Sequence, residues 1–207
     1  MSDQDRNWKF VDECVTETPA AEHGRSAALE LGIDPVSPAV AGELSVLAAA
    51  SLASAIIEIG TGTGVSGLAL LAGSPDSHLT TIDIEPEHQA IARTIFTEAN
   101  IPSARVRFIT GQASDLLTRM NEGAYDLVLV DADPESVLEY VEHGLRLTKP
   151  SGIVLVAHAL SGVANPADRS AAASELRALI TELSASAAVV TAISPAGQGI
   201  LQIVKRP

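Results

Sequence analysis

The 207-residue sequence predicts an α/β protein built on a doubly wound, mostly parallel sheet of seven strands. Short apolar runs alternate with segments of helical pattern, which is typical of a parallel sheet covered by helices on both faces. The C-terminal part of the chain departs from this alternation, because two strand-like runs flank a short Pro/Gly-rich loop, as in an antiparallel hairpin. The predicted strands cover residues 55–59, 79–82, 105–109, 126–130, 153–157, 188–193 and 200–204.

The segment before the first strand is predicted to be helical. Residues 5–32 indicate two helices broken around Thr18-Pro19, and we treat residues 1–32 as a helical arm and 33–207 as the core of a single domain. A further helix over 38–53 would begin with Ser37 as its N-cap and Pro38 at the first position. The arm is compatible with a capping element or with a dimer-forming segment.

Composition limits the class of protein. A formal charge of −13 argues against nucleic acid and anionic membrane surfaces as partners. No apolar run reaches the ~18 residues of a membrane span. The first thirty residues are polar and acidic, unlike a signal peptide, and Cys14 is the only cysteine. We therefore expect a cytoplasmic protein without an intrachain disulfide.

The most informative segment joins the first predicted strand to a helix. The run 56–59 meets four glycines between Gly60 and Gly67, and the helix-forming residues 68–71 follow. Glycine allows positive φ and close ligand approach, and the helix start presents free N–H groups. The spacing Gly62-x-Gly64-x-x-Gly67 also fits a dinucleotide fingerprint, so an NAD-dependent oxidoreductase stays open here, as does a purely structural turn.

Two carboxylates at neighbouring strand ends narrow the choice of ligand. Glu58 ends the first strand and Asp83 ends the second, where it can accept hydrogen bonds from ribose hydroxyls. Glu58 would repel a diphosphate but would tolerate a sulfonium or ammonium group. The pair favours a ligand with hydroxyls and a positive charge.

Four blocks in the same order and spacing resemble the S-adenosylmethionine-dependent O-methyltransferases of the catechol and caffeoyl-CoA type, and most of all small actinobacterial members. These blocks are residues 58–66, 81–87, 111–113 and 125–133. The resemblance covers roughly residues 30–205. It implies a Rossmann-like methyltransferase fold, S-adenosylmethionine as cofactor, a small-molecule methyl acceptor and a homodimer.

The resemblance also implies a role for each matching position. Val36 and Ser37 would wall the methionine end of the cofactor, and Glu58 would bind its amino group. Gly60 and Thr61 would supply close backbone contacts, and Ser66 a hydroxyl to the cofactor carboxylate. The remaining cofactor-binding positions would be Asp83 at the ribose, Ala113 beside the adenine, and Asp131.

The expected metal site departs from the family pattern. Metal-dependent members hold a divalent ion with the Asp at position 131 and with an Asp-Asn pair where this chain has His158-Ala159. Mg²⁺ prefers oxygen ligands, so we expect no magnesium site; a softer metal could accept Asp131 and His158, although two ligands rarely suffice. The lysine that the family often uses as general base is Pro134 here.

The candidate catalytic residues are therefore Asp131 and His158. His158 could act as a general base oriented by Asp131, or it could be a hydrogen-bonded structural residue. The other four histidines, His23, His78, His88 and His143, are predicted to be surface residues. We expect methyl transfer to an oxygen of a small molecule, with a catalytically lapsed cofactor-binding protein and an oxidoreductase as alternatives.

Overall fold

A computed structural model of the protein describes residues 3–207, except for the side chains of residues 4 and 5. Within these residues, seven strands form one sheet. The strands are β1 Ala55–Ile59, β2 His78–Asp83, β3 Val106–Thr110, β4 Tyr125–Val130, β5 Thr148–Val156, β6 Val189–Ser194 and β7 Ile200–Lys205.

Eight α-helices and one short 3₁₀ helix, Ser103–Arg105, connect the strands in the described chain. The helices are α1 Asp3–Cys14, α2 Pro19–Glu30, α3 Pro38–Ala50, α4 Val65–Gly73, α5 Pro86–Glu98, α6 Ala113–Leu117, α7 Val137–Leu147 and α8 Ala171–Ala185. None of the helices in residues 3–207 is both long enough and apolar enough to cross a membrane.

The strand order is β3-β2-β1-β4-β5-β7-β6. All pairs from β3 to β5 are parallel, whereas β7 lies antiparallel between β5 and β6. The prediction of a doubly wound sheet with a C-terminal antiparallel hairpin is confirmed. From β1 the chain adds strands first on one side, as β2 and β3, and then on the other, as β4 and β5, so the strand order reverses between β1 and β4. Ligands of open α/β sheets bind beyond the carboxyl ends of the strands at such a point.

Two apolar cores lie on opposite faces of the sheet. One face packs Ile56 and Leu129 against helices that include α3 and α4, and the other packs Ile57 and Val128 against helices that include α7 and α8. The alternation of buried residues along β1 and β4 follows from the two-residue period of a strand. Because Glu58 shares a face with Ile56, its side chain lies on the α3–α4 side.

The N-terminal helices pack on the core. In α2, His23 Nδ1 lies 2.8 Å from Glu98 Oε2, and the carbonyl of Gly24 accepts a 2.7 Å hydrogen bond from Thr63 Oγ1. Asp12 near the end of α1 caps α3 by accepting from the Ala39 amide at 3.0 Å. The predicted break at Thr18-Pro19 is confirmed, because Thr18 is the N-cap of α2 and Pro19 its first residue.

Two element boundaries differ from the sequence-based expectation by three residues or more. Helix α3 ends at Ala50 rather than at residue 53. Strand β5 begins at Thr148, five residues before the predicted start, since residues 149–152 are Lys, Pro, Ser and Gly and give no strand signal in a hydropathy pattern. Its pairing with β4 shifts register between Tyr125 and Leu127.

Candidate active site

A cleft of about 850 Å³ lies at the carboxyl ends of the parallel strands. The glycine turn after β1, the ends of β2 and β4, the segment before α3 and the turn after β5 all contribute to its walls. Among the predicted site residues, those that line the cleft are Val36, Gly60, Thr61, Ser66, Asp83, Ala113, Asp131 and His158. Two predicted residues, Ser37 and Glu58, do not line it.

The glycine turn brings the backbone close to the end of β4. Gly60 has φ +94°, and a Cβ at this position would lie 1.8 Å from the carbonyl oxygen of Asp131. A side chain is therefore excluded at residue 60. Gly64, with φ +91°, is the N-cap of α4, so the first turn of that helix begins at the cleft.

Asp83 stabilises the glycine turn after β1 by accepting hydrogen bonds from its backbone. Its Oδ2 accepts hydrogen bonds from the amides of Thr61 and Gly62, each at 2.9 Å, and its Oδ1 accepts from the amide of Glu85 at 2.9 Å. A carboxylate has about four lone-pair positions, so one acceptor direction of Oδ1 is not used by these amides, and His88 Nδ1 lies 3.5 Å from the same oxygen. Asp83 thus supports the predicted ribose contact and also shapes the backbone around it.

Glu58 lies beneath the turn rather than in the cleft. It is fully buried, and it accepts hydrogen bonds from Ser66 Oγ at 2.8 Å and from Thr81 Oγ1 at 2.6 Å. Burial without a cationic partner, together with the negative charges of Asp131 and Asp83, raises the pKa of this carboxyl to about 8, against the lowering effect of the two hydroxyls. This placement does not support direct contact between Glu58 and a cofactor ammonium.

Ser66 connects Glu58 to the cleft. Ser66 lines the wall of the cleft, but its hydroxyl donates to Glu58 and is not free to donate to a ligand carboxylate. Ser66 Oγ can still accept a hydrogen bond from a group in the cleft. The amino group expected at Glu58 could therefore be bound at this oxygen.

Ser37 has the structural role that its sequence context allowed. Its Oγ accepts from the amide of Val40 at 3.4 Å, which makes it the N-cap of α3. It lines a separate small cavity of about 60 Å³ that it shares with Val36 and His158. The neighbouring Val36 reaches the main cleft, so only the first of these two residues is in position to contact a cofactor there.

Asp131 and His158 face each other across the centre of the cleft. Nε2 of His158 lies 3.3 Å from Oδ1 of Asp131. The hydrogen bond to Asp131 raises the pKa of His158 above its ordinary value, and the negative charges of Asp131 and Asp34 act in the same direction, whereas burial opposes them. His158 has φ +55°, a left-handed conformation in the turn that follows β5.

The donor atoms at this position do not fit a divalent ion of the family type. Ala159 is fully buried and offers no donor, and the two remaining groups contact each other. Mg²⁺ requires several oxygen ligands in octahedral geometry. No group of three or more His, Cys, Asp or Glu side chains suited to a metal occurs in the described residues.

Sequence reasoning missed several cleft residues, and it was wrong about two histidines, since the side chains of His88 and His143 are only 25% and 18% exposed. His88 is not a simple surface residue, since it lines the cleft and its Nδ1 lies 3.5 Å from Asp83 Oδ1. Tyr140 lines the cleft and donates to Asp133 Oδ2 at 3.3 Å. Asp34 and Gln198 meet at the mouth, where the Gln198 amide donates to the Asp34 carboxylate. No local pattern could reveal a contact between residues so far apart in the chain.

Comparison with known proteins agrees with this site. The sequence profile of the O-methyltransferase family matches residues 23–206. A curated O-methyltransferase of Mycobacterium marinum is 42% identical over 194 residues, which cover 92% of this chain and 87% of that protein. A second relative, from Mycobacterium tuberculosis, is 39% identical over 201 residues, covering 96% of this chain and 90% of its own length.

Solved structures give the same result. TomG of Streptomyces achromogenes, an O-methyltransferase of tomaymycin synthesis crystallised with S-adenosylmethionine, superposes with a TM-score of 0.85 at 26% identity, with both chains covered fully. A protein of Corynebacterium glutamicum superposes with a TM-score of 0.90 at 25% identity, covering 100% of this chain and 98% of its own. The chain belongs to the O-methyltransferase family. Neither the family nor the terminal hairpin favours an NAD-dependent oxidoreductase.

Proposed function

We propose that this protein transfers the methyl group of S-adenosylmethionine to an oxygen of a small molecule without a divalent metal. The observation that supports this most is one cleft in which the glycine turn and Asp83 lie beside the Asp131–His158 pair. The first two form a nucleoside site, and the pair supplies acid–base chemistry next to it.

The cofactor assignment follows from the shape and charge of the glycine turn. Gly60 and Thr61 line the cleft, and Asp83 has one acceptor direction that no backbone amide uses, which we assign to a ribose hydroxyl. The relative TomG, of the same fold, was crystallised with S-adenosylmethionine. Ala113, at the start of α6, lines the cleft where an adenine would follow the ribose.

The chemistry assigned to this chain is deprotonation. When bound, S-adenosylmethionine supplies an electrophilic methyl group on sulfur. Neutral His158 would accept the proton of the acceptor hydroxyl at the ring nitrogen that does not contact Asp131, which leaves an oxyanion able to take the methyl group while the C–S bond breaks and S-adenosylhomocysteine departs. Asp131 would stabilise the resulting imidazolium through its 3.3 Å contact with Nε2.

The charge of the cleft limits the acceptor. Among the described residues that line it there is no Lys or Arg, while the acidic members are Asp34, Asp83, Asp131, Asp133 and Asp168. Anionic acceptors such as carboxylates or thioesters of a nucleotide carrier would be repelled. We therefore propose a neutral or cationic hydroxyl compound as the methyl acceptor.

A catalytically lapsed protein is the less favoured alternative. It is motivated by Ala159 and Pro134, which replace a metal ligand and a lysine base of the family pattern. The position of His158, which lines the cleft beside Asp131, supports our proposal of a different base in their place.

Formation of S-adenosylhomocysteine with catechol, dopamine and protocatechuate tests the proposal. We expect turnover with catechol or dopamine that exceeds turnover with the anionic protocatechuate and that EDTA does not change. His158→Ala should abolish it. His78→Ala, an exposed histidine at the opposite edge of the sheet, is the matched control and should retain it. A requirement for Mg²⁺ or Mn²⁺, or full turnover by His158→Ala, would contradict the proposal.

A further inference from the structure

An ion pair behind the wall of the cleft holds the backbone of Val36. Arg25 on α2 donates through Nη1 to the carbonyl oxygen of Val36 at 2.6 Å. Its Nε and Nη2 donate to the two carboxylate oxygens of Glu17, at 2.9 Å and 2.7 Å. The side chains of Arg25 and Glu17 are only 18% and 12% exposed. Because this bidentate contact fixes the plane of the guanidinium, Nη1 is directed at Val36.

Helix α2 also contacts a second part of the cleft wall. The carbonyl of Gly24 accepts from Thr63 Oγ1 at 2.7 Å, and both Thr63 and Val36 line the cleft. Gly24 is buried, and a Cβ there would lie 3.3 Å from Val65 Cγ2, so α2 packs closely on the start of α4. Two consecutive residues of α2 therefore hold the glycine turn and the segment before α3 in fixed positions relative to each other.

Val36 lies towards the reacting end of the cleft. It borders the small cavity of about 60 Å³ together with His158, whereas Asp83 and Ala113 do not line that cavity. With the ribose at Asp83 and the adenine at Ala113, as proposed above, the amino-acid part of the cofactor would extend towards Val36. Arg25 itself does not line the cleft, so it is placed to act on a ligand only through Val36.

We propose that Arg25 is a positioning residue for the cofactor, which holds the carbonyl of Val36 and thereby fixes the part of the wall that the amino-acid group of S-adenosylmethionine contacts. Glu17 orients Arg25 for this role. The inference rests on the proposed function, because it requires the cofactor to lie along the glycine turn.

The contact depends on the planar fork of arginine. Val36 is only 2% exposed, so its carbonyl would lose a hydrogen bond that water replaces poorly if the guanidinium were absent. A buried polar group without a partner is unfavourable, and the segment would shift to regain one. Lysine at position 25 keeps a positive charge beside Glu17, but its single ammonium lacks the fixed geometry that serves Glu17 and Val36 together.

The test compares two ligands by calorimetry on the full-length protein. S-adenosylhomocysteine carries the amino-acid group, whereas 5′-methylthioadenosine keeps the adenosine and the sulfur but lacks that group. We expect Arg25→Lys to bind S-adenosylhomocysteine about fivefold more weakly than wild type and to bind methylthioadenosine equally well. Glu17→Gln should shift the two affinities in the same direction. The double variant should lose no more than Arg25→Lys alone, because both residues act through one contact.

Arg105→Lys is the matched control. Arg105 is also partly buried and donates to backbone carbonyls, of Ser77 at 3.0 Å and of Ser74 at 3.1 Å, but neither serine lines the cleft. This variant should keep the wild-type affinity for both ligands. Circular dichroism checks that each variant is folded, and Glu17→Gln decides the test if Arg25→Lys is not.

The pattern of affinities separates this inference from the proposed function. Equal losses for both ligands would indicate a merely structural ion pair and would overturn the inference, as would unchanged affinity for S-adenosylhomocysteine. Wild type that binds neither ligand would overturn the proposed function and this inference together. Wild type that binds both ligands, with no loss specific to S-adenosylhomocysteine in the variants, would overturn only the role of Arg25.

Discussion

Replacing Glu58 with Gln should make the protein more stable at neutral pH and should remove part of its pH dependence. The Glu58 carboxyl is fully buried, and desolvation raises its pKa from 4.5 to about 8 in the folded state. Between these values the unfolded chain releases the Glu58 proton while the folded chain retains it. Stability from this group is therefore fully present below about pH 4.5 and is lost as the pH rises towards 8.

The magnitude follows from the size of the shift. Each pH unit in this window corresponds to about 1.4 kcal/mol for one proton, so wild type should lose about 3 kcal/mol between pH 5 and pH 7 relative to Glu58→Gln. The substitution keeps both hydrogen bonds. The Gln oxygen accepts from Ser66, and its NH₂ group donates to Thr81 Oγ1, whose own hydroxyl can turn to Thr61 Oγ1 at 2.7 Å.

Urea unfolding followed by circular dichroism at pH 5, 6, 7 and 8 measures this difference. Glu43→Gln is the matched control, because Glu43 also accepts two side-chain hydrogen bonds, from Ser194 at 2.8 Å and Gln202 at 2.6 Å, but is only partly buried. We expect Glu43→Gln to keep the wild-type slope. Parallel stability curves for wild type and Glu58→Gln would refute the reasoning that Glu58 is neutral in the folded protein.

Four further outcomes are expected. Asp83→Ala should weaken S-adenosylmethionine binding by about 1.5–3 kcal/mol, roughly 10- to 150-fold, because it removes the ribose acceptor. The control is Glu87→Ala, which removes an exposed acid on α5 and should leave the affinity unchanged. Equal affinities of Asp83→Ala and wild type would place the cofactor elsewhere. If His158 is the proposed base, methyl transfer should rise with pH through a pKa above the ordinary 6.5 of histidine, because only the neutral ring can accept a proton; a flat profile would exclude it as the base. The stability that its contact with Asp131 provides has the opposite sign, being present below about pH 6.5 and lost as the pH rises through the folded pKa. The homodimer stays a prediction that light scattering can check: the apolar residues Trp8 and Phe10 on α1 are exposed, and a stable species of 21.4 kDa would contradict it.

The fold was predictable because its pattern is local. Strand alternation, the glycine turn at Gly60 and the Pro/Gly loop before β7 each depend on neighbouring residues, and all lie where the sequence indicates. Most of the cofactor side of the cleft follows from this, since parallel strands bring Asp83 and Asp131 to one edge of the sheet.

The remaining features of the site depend on contacts between residues that lie far apart in the sequence. Glu58 stands in a motif typical of ligand binding, but strand alternation turns its side chain under the loop, where Ser66 and Thr81 hydrogen-bond to it. The contact between Asp34 and Gln198 joins residues 164 positions apart, so no local spacing could indicate it.

Calorimetric titration of S-adenosylmethionine into EDTA-treated protein tests the central claim most directly. In our proposal, the glycine turn and Asp83 form the nucleoside site and no metal takes part in it. We therefore predict one binding site per chain, with an affinity that added Mg²⁺ does not change, and no binding of NAD. An absence of heat with S-adenosylmethionine, binding that appears only after a divalent ion is added, or saturable binding of NAD in its place would contradict the account.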